Sequence, residues 1–126
     1  MLTAATFRTL ALALPDVVEG SHQGHPDFRA NGRVLASLHP DGLRAMVKVA
    51  AAQQRALVAA APAVFAPASG AWGRAGCTML VLGVADAATV RQALQDAWTV
   101  AMAQPKGRSA KAPSGRKATP RPKKPR

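Results

Sequence analysis

The sequence is poor in the groups that build most small catalytic and metal sites. One cysteine, Cys77, stands among 126 residues. It excludes an internal disulfide or a cysteine-rich metal cluster and suits a reducing compartment. Asp and Glu together number six, too few for the clustered hard oxygen ligands of a frataxin-type iron site. No apolar run reaches the length that spans a bilayer. The N-terminus has Arg8 inside its apolar pattern and no basic stretch before it, unlike a secretory signal. No glycine pattern of a phosphate-binding loop occurs. These absences lead to the expectation of a soluble cytoplasmic protein that is not an enzyme, carries no cofactor or metal and meets no membrane.

What the sequence has in excess is positive charge, and it is unevenly placed. The net charge is +11. Residues 104–126 hold nine Lys or Arg and no acid, while residues 1–103 hold eight Lys or Arg against six acids. The chain therefore divides into a body, 1–103, and a tail, 104–126. The body is long enough for one packed core without disulfides. The tail is Lys, Arg, Pro, Ala, Ser and Gly with no large apolar residue, which predicts disorder.

The body is organised around residues 21–49. Two hairpin signals, Asn31-Gly32 and Pro40-Asp41-Gly42, separate apolar-rich runs and predict a three-strand antiparallel meander. Beyond the second turn Leu43, Ala45, Val47 and Val49 alternate with Arg44, Met46 and Lys48, giving one apolar and one mostly basic face. A two-residue turn at Pro40-Asp41 would pair Leu38 with Leu43, Ala36 with Ala45 and Val34 with Val47. For the first hairpin, a three-residue loop Ala30-Asn31-Gly32 with Gly32 left-handed keeps Phe28 on the core side. That register sets Arg29 opposite Arg33, Arg33 opposite Lys48, and Arg44 opposite Ser37. Like charges across a sheet are destabilising. Solvent screening with splayed side chains would offset this, and so would a bound anion such as a phosphate backbone.

The flanks read as helices that bury their stripes on this sheet. Thr3 is the expected N-cap of a helix carrying Phe7, Leu10, Ala11 and Leu14, ended by Pro15. An irregular extended segment follows to Pro26. Residues 50–61 are Ala-rich and helical, with no strong cap, ending before Pro62. Residues 66–76 read as a loop, 77–82 as a buried strand, and Asp86 as the cap of a helix whose stripe is Val90, Leu94, Ala97, Trp98 and Ala101. The fold class is α+β: a meander plus at least one later strand, with helices on one face.

Several constellations carry residue types of chemistry without its geometry. His22 and His25, with Asp27 and His39 near, lack a clear third ligand for a metal. Ser21, His22 and Asp16 are triad types but sequence neighbours, with no nucleophile elbow. Cys77 opens a buried strand, where thiols are inert. Trp72 beside Arg74 could stack on a base if exposed; packing down is the commoner fate of tryptophan and is the expectation here.

The strings SHQGHPDFRANGRVLASL, QQRALVAAAPAVF, GAWGRAG and DAATVRQALQDAW resemble the MmcQ/YjbR-like family over residues 3–103. The resemblance implies a CyaY-like, frataxin-like fold, also described as a double wing, and a DNA-binding label common to members of this bacterial family. Members often have Asn and Arg in the strand after WGRxG, where this chain has Met79 and Val81. The tail resembles those of linker-histone-like bacterial proteins. The expected function is nonenzymatic nucleic-acid binding, DNA first and RNA second, mainly through phosphates. Its expected residues are Arg29, Arg33, Arg44, Lys48, Trp72 and Arg74 in the body. Lys106, Arg108, Lys111, Arg116, Lys117, Arg121, Lys123, Lys124 and Arg126 serve in the tail. The alternative is a small ligand- or protein-binding module with an accessory cationic tail.

Overall fold

The computed structural model describes residues 2–22 and 25–104. Helix α1 (Ala4–Leu12) begins at Thr3, whose Oγ1 accepts from the Thr6 amide at 3.2 Å. Four strands follow in series: β1 (Val18–His22), β2 (His25–Ala30), β3 (Arg33–Leu38) and β4 (Arg44–Lys48). Then come α2 (Ala51–Ala60), β5 (Phe65–Pro67), α3 (Gly70–Arg74), β6 (Cys77–Val81) and α4 (Ala87–Ala103). Asp86 caps α4, its Oδ1 accepting from the Thr89 amide at 2.7 Å, and this bond holds its carboxyl below the usual range.

The strands form one antiparallel sheet in the order β1-β2-β3-β4-β6-β5. Phe28, Ala36 and Val47 lie in one cross-strand row and are fully buried. They pack beneath Phe7 of α1 and Val90, Leu94 and Ala97 of α4. The rings of Phe7 and Phe28 meet edge to face at 6.0 Å, a favoured aromatic geometry. Leu57 and Val58 of α2 pack on the same core. The α+β expectation, with helices gathered on one sheet face, therefore holds. Trp98 is half-buried at the core's edge, and its indole N–H donates to Pro15 O at 2.8 Å.

Four local expectations give way. The segment before Pro26 is a regular strand, β1, paired with β2 from Val18↔Arg29 to His22↔His25. Residues 66–76 are not a loop: β5 and α3 occupy most of them. The first hairpin is a two-residue Asn31-Gly32 turn, with both residues left-handed at φ 56 and 72. Its extra residue falls within the strands, where the register shifts between Phe28 and Arg29 and Leu35 is passed over. The bulge restores Phe28 to the core opposite Ala36, but it leaves Val34 opposite Arg29 and off the core face. The second hairpin pairs Ala36 with Val47 and Leu38 with Ala45, two residues out of the expected register but with the same parity. Its loop is longer because Asp41 Oδ1 accepts from the amides of Leu43 at 2.8 Å and Arg44 at 3.2 Å. Leu43 therefore lies in the loop, 66% exposed, not on the core face.

Two glycines fix α3. A Cβ at Gly73 would stand 1.9 Å from Ala68 O, and one at Gly76 would stand 2.0 Å from Val49 O. Gly76 also has φ +105, a conformation that suits glycine alone. Gln54 of α2 ties this corner together: its Nε2 lies 3.0 Å from Gly73 O, 3.2 Å from Cys77 O and 3.1 Å from Thr78 Oγ1.

Candidate functional site

The observed register breaks the expected row of like charges. Arg29 pairs with Val34 and Arg33 with Ala30. Ala30 is buried with Phe28, so Arg33 takes the helix side of the sheet while Arg29 takes the open side. Lys48 pairs with Cys77 and Met46 with Met79, which sets Lys48 on the open side as well. Arg33 therefore does not face Lys48 across a ladder, and Arg44 lies opposite Val81 and beyond Ser37, whose partner is Met46. Carboxylates from within the chain compensate two of these cations. Arg29 donates twice to the buried Asp27, Nε to Oδ1 at 2.9 Å and Nη2 to Oδ2 at 3.0 Å. These bonds raise the guanidinium pKa further. Arg44 Nε donates to Asp41 Oδ2 at 3.0 Å.

Three other expected cations converge at one end of the sheet. Arg33 begins β3, Lys48 ends β4 and Arg74 ends α3. All three line one cleft of about 400 Å³, with no carboxylate among its described lining residues. Ala50 and Ala51 also line it, and they begin α2 with no side-chain cap. First-turn amides and the positive end of a helix dipole favour an anion there. The C-terminal end of α4 borders the same cleft through Ala101 and Gln104, and its carbonyls would oppose an anion. Asn31 offsets them: its Nδ2 donates to Ala101 O and Gln104 O, each at 2.9 Å. The expected tail cations, Lys106 to Arg126, lie outside the described residues, but the tail leaves the body from Gln104, at this cleft.

A second concavity, about 480 Å³, lies on the open sheet face. Met46 and Met79, directly paired, and Ser37 give it a floor, and Trp72 lines it from α3. Trp72 is 73% exposed, against the expectation that it packs down. The reason is local. Gly73 is wedged against Ala68, so α3 sits too tightly on the sheet end for its neighbouring indole to turn inward. Burial raises the Cys77 thiol pKa, with Lys48 partly opposing, so the thiolate is disfavoured. His39 Nδ1 lies 3.3 Å from Asp41. Among the described residues no group of three or more His, Cys, Asp or Glu could hold a metal ion. No described helix is long and apolar enough to cross a membrane.

Arg33, Lys48 and Arg74 are among the cations expected from the sequence, but the expectation sets Arg33 and Lys48 side by side on one sheet face and the register puts them on opposite faces. Sequence reasoning missed Asn31 as the group that quiets the α4 terminus. The only signal was the turn residue itself, which gives no hint of a partner seventy residues away in the chain.

Comparisons with known proteins agree with this fold. The structure is similar to the crystal structure of Deinococcus radiodurans protein DR2400, described with family-model domain DUF419. The TM-score is 0.69 at 21% identity, covering 82% of this chain and 81% of that one. No curated protein matches the chain. The YjbR family model matches residues 12–100, the whole sheet and most of α4, and the chain belongs to the YjbR family.

Proposed function

We propose that this chain is a nonenzymatic nucleic-acid-binding protein, with DNA as its first partner and RNA as its second. It holds the sugar-phosphate backbone in the cleft of Arg33, Lys48 and Arg74. The observation that carries this reading is the meeting of these three cations, from three elements, in one cleft whose described lining residues include no carboxylate. The nine-cation tail leaves the body beside that cleft and adds phosphate contacts that carry no base code. Arg29 and Arg44, held by Asp27 and Asp41, are structural in this reading.

The test is binding of the full chain to a duplex at several salt concentrations, against a variant with Arg33, Lys48 and Arg74 all replaced by Ala. Each phosphate contact releases condensed counterion. Losing three contacts should therefore flatten the slope of log affinity on log salt by about 2.7. An unchanged slope in a folded variant would remove the cleft from the interface. A second reading, a small-ligand module, is favoured by the open-face groove and its exposed Trp72. It requires ligand binding with little salt dependence.

A further inference from the structure

We propose that the open-face groove holds an unpaired base of a single strand whose phosphates run through the neighbouring cleft. This rests on the phosphate reading of that cleft and narrows it to single-stranded nucleic acid. The linings of the two concavities have no residue in common but come next to each other at two places, one along α3 and one across the β4–β6 ladder. Trp72 lines the groove and Arg74, two residues on in α3, lines the cleft. Cys77 lines the groove, and its ladder partner Lys48 lines the cleft. An occupant spanning both must be anionic on one side and apolar and flat on the other. A nucleotide has both properties, and an apolar peptide lacks the first.

The groove's own chemistry fits the flat part. Trp72, 73% exposed, offers an aromatic face, and stacking accepts any base because every base has a π-face. Met46 and Met79 form an adaptable thioether floor. Ser37 and Ser69 line the same space and supply polar atoms for base edges. Duplex bases are stacked on one another and cannot enter, so the groove selects an unpaired strand. The helix carrying Trp72 is rigidly seated through Gly73 and Gln54, so the platform is formed in advance.

The experiment compares oligothymidylate with an abasic sugar-phosphate strand of equal length and charge, each titrated onto the full chain at several salt concentrations. The base-bearing strand should bind about 5-fold to 150-fold more tightly, the range expected for stacking one base. Tryptophan fluorescence should quench as it binds. Trp72→Ala should abolish both the preference and the quench while leaving the abasic strand's affinity and salt slope unchanged. Trp72→Phe should keep part of the preference. Equal affinities for the two strands in the wild type would overturn the proposal and leave the phosphate cleft standing, as would a preference that survives Trp72→Ala. Failure of both strands to bind would overturn the cleft reading and this one with it. A preference for bases without salt dependence would keep the groove and remove the cleft.

Discussion

Arg29 closes its guanidinium on both oxygens of Asp27, a residue two places earlier on the same strand face. Gly20 of β1, the ladder partner of Asp27, makes room: a Cβ there would stand 2.9 Å from Asp27 Oδ1 and 3.3 Å from Arg29 Nε. The Asp27 side chain is 4% exposed and that of Arg29 is 23% exposed. Arg29→Ala would strand a buried carboxylate. Allowing for the partial exposure of the arginine, the loss in unfolding free energy should be about 2–3 kcal/mol. Urea unfolding measures it, and affinity for nucleic acid at fixed salt should stay near the wild-type value.

Gly73→Ala and Gly76→Ala should each cost about 3 kcal/mol or more, because the new methyl meets backbone oxygen that cannot swing away. Thermal melts of the two variants provide the check. A variant of either kind as stable as the wild type would show that α3 is not fixed by these contacts.

Asn31 combines a left-handed φ of 56 with two donated hydrogen bonds to the end of α4. Asn31→Ala loses both and should cost about 1–2 kcal/mol. Amide exchange should speed up selectively over the last turn of α4. Asn31→Asp keeps the turn conformation but replaces the donor with a charge facing the α4 carbonyls of Ala101 and Gln104, so under the proposed function it should weaken phosphate binding more than Asn31→Ala does.

The Asp41 carboxyl is held at about 2, first by the Leu43 amide and then by the Arg44 guanidinium and His39. The folded-state value lies below the ordinary 3.8. Its contribution to stability is therefore complete above the ordinary value and is lost as pH falls through the folded one. Carboxyl-carbon NMR should show Asp41 titrating near the lower value. In Arg44→Ala the titration should move up only part of the way, since the larger backbone bond survives.

Much of this fold was legible in local chemistry. Thr3 and Asp86 have the hydroxyl and carboxylate of N-caps and act as such. The alternation from Ala45 to Val49 marks one buried face and holds in the structure. The bulge at Leu35 was not legible in position. Parity required an extra residue between Phe28 and Ala36 but could not say whether the loop or the strand would absorb it. A turn with two left-handed residues leaves no room, so the strand takes it and Arg33 changes side. Likewise Asp41, acting through its side chain, lengthened the second loop without changing parity. The exposure of Trp72 goes with the close seat of Gly73 against Ala68, where an added Cβ would stand 1.9 Å from Ala68 O, and no local pattern records that approach.

Under the proposed function the folded body, and not the tail alone, contacts phosphates. The direct measurement is a salt titration of the body, residues 1–103, on unrelated duplexes, beside the full chain and beside the body carrying the Arg33, Lys48 and Arg74 alanine substitutions. With about five to eight tail cations engaged, the full chain should gain a slope of about −4.5 to −7 from the tail, added to that of the body. The body should keep a shallower slope of about −2 to −3, for its three cleft cations, alike on every duplex. The triple substitution should take that slope close to zero. A folded body with no affinity even at low salt would contradict the account and leave nucleic-acid binding as a property of the tail.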